Sequence, residues 1–218
     1  MPPVDPIPAA RTILLATTNR GKLREVAAVL ADLPVKLLTL DEFPAMAEPA
    51  EDGDTFEANA RLKAEHYARL SGVWSLADDS GLEVDALGGA PGVRSARYAD
   101  SQAPPREDRD AANNARLLAE LRDVPPERRT ARFRCALALS DGRRIIAEAR
   151  GVVEGVIIDD ARGQNGFGYD PHFFMPEFGL TTAEMPPAQK NRISHRGRAL
   201  IVMAREIAGL VRGGGPHS

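Results

Sequence analysis

Short apolar runs and amphipathic stripes alternate along this chain, with glycine, proline and acidic clusters at the joins. Residues 12–17 (TILLAT) have the length and composition of a buried strand. Asn19 and Gly21 turn the chain, and Leu23, Val26, Ala27 and Leu30 then recur at i, i+3, i+4 and i+7, one face of a helix. A second strand is expected over 35–40. After an acidic loop with Glu48, Glu51, Asp52 and Asp54, the spacing of Asp54 and Glu57 matches a capping box. The helix it opens runs to about Ser71 and stops at Gly72. Residues 74–77 predict a buried strand ending in Asp78-Asp79-Ser80-Gly81, a glycine- and proline-bearing loop covers 88–105, and 108–122 predicts a helix. Phe133, Cys135, Leu137 and Leu139 alternate with Arg132, Arg134, Ala136 and Ala138, the pattern of a half-buried strand. Asp141-Gly142 predicts a two-residue type I′ hairpin, with a return strand from Arg143 to about Val153. A second glycine-rich loop covers 163–171. Ser194 can cap a last helix with Leu200, Met203, Ile207 and Leu210 inward. Strands feeding helices, together with an antiparallel hairpin, predict an α/β fold with a mixed sheet.

The chain has 218 residues, enough for one substantial domain. Residues 1–11 carry four prolines without periodicity and 213–218 read GGGPHS, so a disordered lead-in and a flexible tail are expected around one domain at 12–212. Lys and Arg number 28 against 31 Asp and Glu, a net charge of −3, which argues against a nucleic-acid partner. One cysteine, Cys135, excludes an intrachain disulfide and fits a reducing compartment. No apolar run approaches the roughly 20 residues that span a bilayer. The N-terminus lacks the basic and apolar regions of a signal peptide, so a soluble, cytoplasmic protein is expected.

Five segments carry candidate chemistry. Thr17-Thr18-Asn19-Arg20-Gly21-Lys22 sits at a strand-to-helix turn, where free backbone N–H groups and the positive helix end suit a phosphate. It is not a Walker A loop, because Ala16 and Leu23 stand where glycine and Ser or Thr are needed. Asp78-Asp79 places two carboxylates side by side; in a strand they point to opposite faces and have different tasks. One can ligate a hard cation such as Mg²⁺, and one can take a proton from an attacking water. Glu51 is a possible further ligand. Lys63 falls on an apolar helical stripe with Phe56, Ala60, Tyr67 and Leu70, and either snorkels to solvent or aims at an anion. In Gly166-Phe167-Gly168-Tyr169-Asp170-Pro171, Phe167 or Tyr169 can stack on a flat base. Lys190 precedes Ser194-His195-Arg196, whose basic residues in a first helical turn oppose the helix dipole and suggest convergence on an anion or carbonyl. Taken singly, each segment also fits a plain structural role.

In combination they are specific. Thr17–Lys22 with Glu25, the stretch ADDSGLEVDALGGAPGVRSARYA (77–99), GFGYDP (166–171) and ISHRGRAL (193–200) resemble, in order, the inosine triphosphate pyrophosphatase family, also called Ham1-like or dITP/XTP pyrophosphatases. The resemblance spans about 12–211. It implies hydrolysis of deaminated purine nucleoside triphosphates (ITP, dITP, XTP) to monophosphate and pyrophosphate. It also implies an elongated α/β fold with a long mixed sheet, a cleft between two lobes and a homodimer. By that likeness Thr17, Thr18, Asn19, Arg20, Gly21 and Lys22 hold the triphosphate. Asp79 is the proton acceptor and Mg²⁺ ligand, with Glu51 a further ligand. Ser80, Phe167, Gly168, Tyr169, Asp170, Lys190, His195 and Arg196 bind substrate. One departure is TFEANA (55–60), where Ala58 stands in place of the family's usual Glu. Two rivals are a Maf-like pyrophosphatase, whose Ser-x-Ser-Pro-Arg pattern is absent, and a non-enzymatic nucleotide-binding protein, against which the Asp78-Asp79 pair and Lys22 argue.

Overall fold

The computed structural model describes residues 10–100 and 106–213. Seven strands, β1 (Arg11–Leu15), β2 (Val35–Thr39), β3 (Trp74–Val84), β4 (Thr130–Ser140), β5 (Ile145–Ile157), β6 (Phe173–Met175) and β7 (Leu180–Thr181), form one mixed sheet in the order β2-β1-β3-β4-β5-β6-β7. β1 pairs in parallel with β2 and β3, and the remaining pairs are antiparallel. Parallel neighbours need a crossover, supplied here by α1 (Arg20–Leu30) between β1 and β2 and by α2 (Phe56–Ser71) between β2 and β3. Three more helices follow: α3 (Arg106–Glu120), α4 (Pro187–Ile193) and α5 (His195–Gly213).

Strand alternation sorts the core. Ile13, Leu15, Leu76, Leu137 and Leu139 pack under α1 and α5 against Val26, Leu30, Leu200, Met203 and Ile207. Leu14, Ala77, Ala136 and Ala138 face the other way, against Phe56, Ala60, Ala64 and Tyr67 of α2. Further along the long strands, Leu82, Val84, Phe133, Val153 and Phe173 build a separate cluster with Leu117 of α3 and Leu121 just after it. The sheet thus serves two lobes. Between them β1 stops: its last partner on β3 is Leu76, opposite Leu15. Beyond that point β3 has an edge free of β1, and it carries Asp78, Asp79, Ser80 and Gly81.

Several expectations change. β3 does not end at Ala77 but runs on to Val84, because each of these residues pairs with β4, Asp78 opposite Leu137 and Asp79 opposite Ala136. α2 is capped by Thr55, whose hydroxyl accepts from Ala58 N, rather than by Asp54. On α1, Ala27 is exposed, and Leu23 and Val29 join Val26 and Leu30 against the core. Leu70 of the α2 stripe is exposed. The β4–β5 turn is a four-residue loop, 141–144, in which the Asp141 side chain accepts from Arg143 N and Arg144 N. Only Gly142 there has positive φ, whereas type I′ needs two such residues. β6, β7 and α4 are too short to leave a periodic signature. The Ser194 cap is borne out: its hydroxyl accepts from Gly197 N at 3.1 Å. Arg11 of the expected lead-in begins β1 and Gly213 ends α5; residues 1–9 and 214–218 lie outside the described residues.

Candidate active site

The bare edge of β3 opens into a cavity of about 290 Å³ between the lobes. It lies at the carboxyl end of parallel strand β1, where open α/β sheets bind ligands. Thr17, Thr18, Asn19, Lys22, Glu51, Asp79, Ser80, Phe167, Gly168, Tyr169, Asp170, Lys190, His195 and Arg196 all line it, although they come from five separate stretches of chain. Two expected site residues do not: Arg20 points to solvent, and Gly21 lies behind the Phe167 ring. A Cβ on Gly21 would fall 2.6 Å from that ring, so glycine lets the aromatic loop close onto the first turn of α1. The turn also differs from a seat of free N–H groups. Asn19 Oδ1 accepts from Gly21 N at 2.9 Å and Lys22 N at 3.4 Å, so the cap itself satisfies two of the helix's first donors.

The two adjacent aspartates have opposite surroundings. Asp78 is 5% exposed and faces α1 and α5. It accepts from Lys22 Nζ at 2.5 Å, Arg196 Nε at 2.7 Å, Ser80 Oγ at 2.9 Å and Cys135 Sγ at 3.4 Å. Burial would raise its pKa, but the Arg196 guanidinium and the Lys22 ammonium hold it well below the usual carboxylate range. Asp79 faces α2, where Lys63 Nζ lies 2.8 Å away and Asn59 Nδ2 3.3 Å away. Here burial prevails, opposed by Lys63 and Lys22 and reinforced by Glu51, and the carboxyl is raised. Glu51 meets the same Lys63 ammonium at 3.3 Å. Burial alone would lower the Lys63 pKa, but Asp79 and Glu51 keep it raised. Lys63, weighed in the sequence as one of two alternatives, therefore points into the site.

Arg196 is 2% exposed, so the convergence expected of it takes place inside the protein. Besides Asp78 it reaches Glu25 Oε2 at 2.5 Å and Ser80 Oγ at 2.8 Å. Glu25 lies 3.9 Å from Lys190 Nζ, and Lys190 donates to Asp170 Oδ2 at 2.6 Å. A chain of alternating charge thus runs from Lys22 to Asp170, with Glu25 as a link between Arg196 and Lys190. His195 is not a cation. Burial first, then Arg196 and Lys190, push its pKa well below the ordinary value. Its ring stacks on Phe133 at 4.8 Å, and Nδ1 has no hydrogen-bond partner among the described residues. The two aromatic candidates separate as well. Tyr169 is buried, with its hydroxyl on Ser95 O at 2.8 Å, an anchor for the loop. The Phe167 ring lies 5.4 Å from Lys190 Nζ and 5.5 Å from the Arg196 guanidinium.

Comparison with known proteins bears on this arrangement. The Ham1 family profile matches residues 13–206, which include every residue of the cavity wall. The chain belongs to the Ham1 family. The dITP/XTP pyrophosphatase of Geobacter sulfurreducens is 53% identical over 193 residues, 88% of this chain and 94% of that protein. The dITP/XTP pyrophosphatase of Listeria monocytogenes is 48% identical over 199 residues, 91% of this chain and 96% of its own. A solved Ham1 protein from Coxiella burnetii superposes with a TM-score of 0.81 at 40% identity, covering 90% of this chain and 98% of that one.

The departure from the Ham1 pattern at Ala58 has a local physical meaning. Position 58 is the third residue of a helix capped by Thr55, where a Glu side chain would reach back to the cap N–H and complete a capping box. Ala58 gives up that reciprocal bond, while Asn59 beside it ties Gly53 N to Asp79 Oδ2. The substitution therefore falls on helix capping and leaves the carboxylates facing Lys63 in place.

Among the described residues no three acidic, His or Cys side chains form a ready-made metal cage. The donor set that does exist, the oxygens of Asp79 and Glu51, suits a hard divalent cation that takes one or two carboxylates and completes its shell with phosphate and water. The cavity wall holds five cationic side chains against six carboxylates, so a polyphosphate is balanced there only if it brings a cation with it.

Proposed function

We propose that the chain is a nucleoside triphosphate pyrophosphatase that hydrolyses deaminated purine nucleotides, ITP, dITP and XTP, to nucleoside monophosphate and pyrophosphate. The observation that carries the reading is the Asp79 carboxyl. It is buried and held by Lys63 at 2.8 Å in the same cavity as Lys22 and Phe167. A carboxylate fixed in this way beside a phosphate site can take a proton from an attacking water. The dITP/XTP pyrophosphatases that match this chain over more than nine-tenths of their own length support the substrate class.

In this reading Asp79 takes the proton from the attacking water, and the Lys63 ammonium fixes the carboxylate's position. Lys22 and Lys190 face the phosphates and offset charge as pyrophosphate leaves. Asp79 and Glu51 would hold Mg²⁺, which when bound supplies the positive charge the wall lacks and polarises phosphoryl oxygens. Phe167 stacks on the purine. His195, with a buried ring nitrogen still to be paired, is placed at the base end to donate to the C6 carbonyl that hypoxanthine and xanthine share. Thr17, Thr18 and Asn19 bound the phosphate end. Arg196 and Ser80 act through the Asp78 network, and Gly168, Tyr169 and Asp170 hold the aromatic loop.

The whole of about 12–212 acts as one unit in this reading. In this reading the chain works as a homodimer in the cytoplasm, a setting in keeping with a lone, free Cys135. Among the described residues no helix is long and apolar enough to cross a membrane. Phosphorus NMR of the reaction with ITP tests the chemistry: pyrophosphate and IMP appear together and only with a divalent cation. Release of orthophosphate with IDP would contradict it.

A further inference from the structure

The mechanism above uses nothing from α3, yet that helix holds two segments that line the cleft, 96–99 and the Phe167–Gly168 loop. Asp110 and Asn114 stand one helical turn apart, on the same face. Asp110 Oδ2 accepts from Gly168 N at 2.9 Å, and Asn114 Nδ2 donates to Gly168 O at 3.0 Å. Both peptide groups of one residue are thereby held by one helix. Gly168 has φ +64° and open space where a Cβ would be, so no side-chain packing of its own holds it. Its two peptide hydrogen bonds to α3 do.

The residue they fix is Phe167. The N–H that follows it is held by Asp110, and its own N–H is held by Asp170 Oδ2 at 2.8 Å. With both flanking peptides fixed, the Cδ1–Cε1 edge of the ring packs on Gly21, and the Lys190 and Arg196 cations lie 5.4 and 5.5 Å from the ring. The neighbouring Asn113 grips the 96–99 segment, accepting from Ala99 N at 2.8 Å and donating to Ala96 O at 3.3 Å.

We propose that Asp110 and Asn114 are positioning residues for base recognition, a clasp from α3 that holds the Phe167–Gly168 segment where the Phe167 ring meets the purine. The proposal rests on the reading of Phe167 as the base-stacking residue. It distinguishes the two ends of the substrate: loosening the clasp weakens the hold on the base and leaves the phosphate end, and so the chemical step, in place.

The test is a double-mutant cycle read in KM and kcat for ITP and XTP. Asp110→Ala and Asn114→Ala each raise KM about fivefold or more, with kcat within about twofold of wild type, since only the position of the stacking ring is lost. Asp110→Asn, which keeps an oxygen acceptor for Gly168 N–H, restores the wild-type KM. Phe167→Ala alone raises KM by about tenfold, the scale of one lost base–aromatic stack. In the Phe167→Ala background the two α3 substitutions add nothing further. Equal KM rises in both backgrounds, or no rise from the α3 substitutions while Phe167→Ala has its effect, would overturn the clasp alone. A wild-type KM for Phe167→Ala would overturn the stacking reading and the clasp with it.

Discussion

Asp79→Asn lowers kcat by about two orders of magnitude or more, the usual scale for losing a positioned general base, while the fold survives. The amide keeps the shape of the carboxyl and a partner for Asn59, but it cannot accept the water's proton. Lys63 loses one of two carboxylates and keeps Glu51 at 3.3 Å, so the cost to stability is about 1–3 kcal/mol, below that of breaking a buried pair outright. The residue is buried and ion-paired rather than free of partners, so this separation of activity from stability is a demanding prediction. Single-turnover kinetics beside a thermal melt check it. Turnover near the wild-type rate would remove Asp79 from the chemistry.

The neighbouring substitution has the opposite signature. Asp78→Asn leaves the buried Arg196 guanidinium without one of its two carboxylates and Lys22 without its own. Breaking a buried pair from one side typically costs about 3–5 kcal/mol. At about 2–4 °C per kcal/mol for a chain of this size, Tm falls by roughly 10 °C. The pH dependence carries the same mark. The folded-state pKa of Asp78 lies well below its unfolded value of about 3.9, so its contribution to stability is complete above that value and is lost as pH falls toward the folded one. In Asp78→Asn this part of the acid-induced loss is missing, and the stability curves of variant and wild type approach one another below about pH 4. Parallel curves with equal Tm would show that the Asp78 network does not hold the fold. Two adjacent residues of one strand thus divide the work, because alternation sends one into a cage of cations and the other toward a single lysine at the cleft.

Much of this was legible before the structure. The α/β class, the turn at Asn19, the Gly72 stop, the Ser194 cap and the opposite facing of Asp78 and Asp79 all follow from local rules: period, capping and the two-residue repeat of a strand. Local rules also misled. Asp78–Gly81 has the composition of a turn, but ladder hydrogen bonds to β4 hold it as strand, a pairing that only tertiary structure supplies. Asp141-Gly142 has the sequence of a type I′ pair, but the Asp141 side chain builds a wider loop. The site shows the same division. Residues whose role depends on backbone geometry, such as Asn19 and Gly166–Asp170, could be found by motif. Where a role depends on one particular partner elsewhere in the chain, that partner has no mark in the sequence. Arg196 carries no sequence mark of its partners Glu25 and Asp78. Lys63 in an apolar stripe was the one trace of the Asp79–Glu51 contact, and it fitted snorkelling equally well. Asp110 and Asn114 read as polar positions on an ordinary surface helix.

The central claim, that this cleft selects deaminated purines, is tested most directly by kcat/KM for ITP, XTP, GTP and ATP under identical conditions with Mg²⁺. A wall that donates to the C6 carbonyl leaves the adenine amine unpaired, and guanine must be refused through its 2-amino group. Each such mismatch costs about 1–3 kcal/mol. With one mismatch for each competitor, ITP and XTP therefore exceed ATP and GTP by roughly 5- to 150-fold. Hydrolysis of GTP and ATP as efficient as that of ITP would contradict the account.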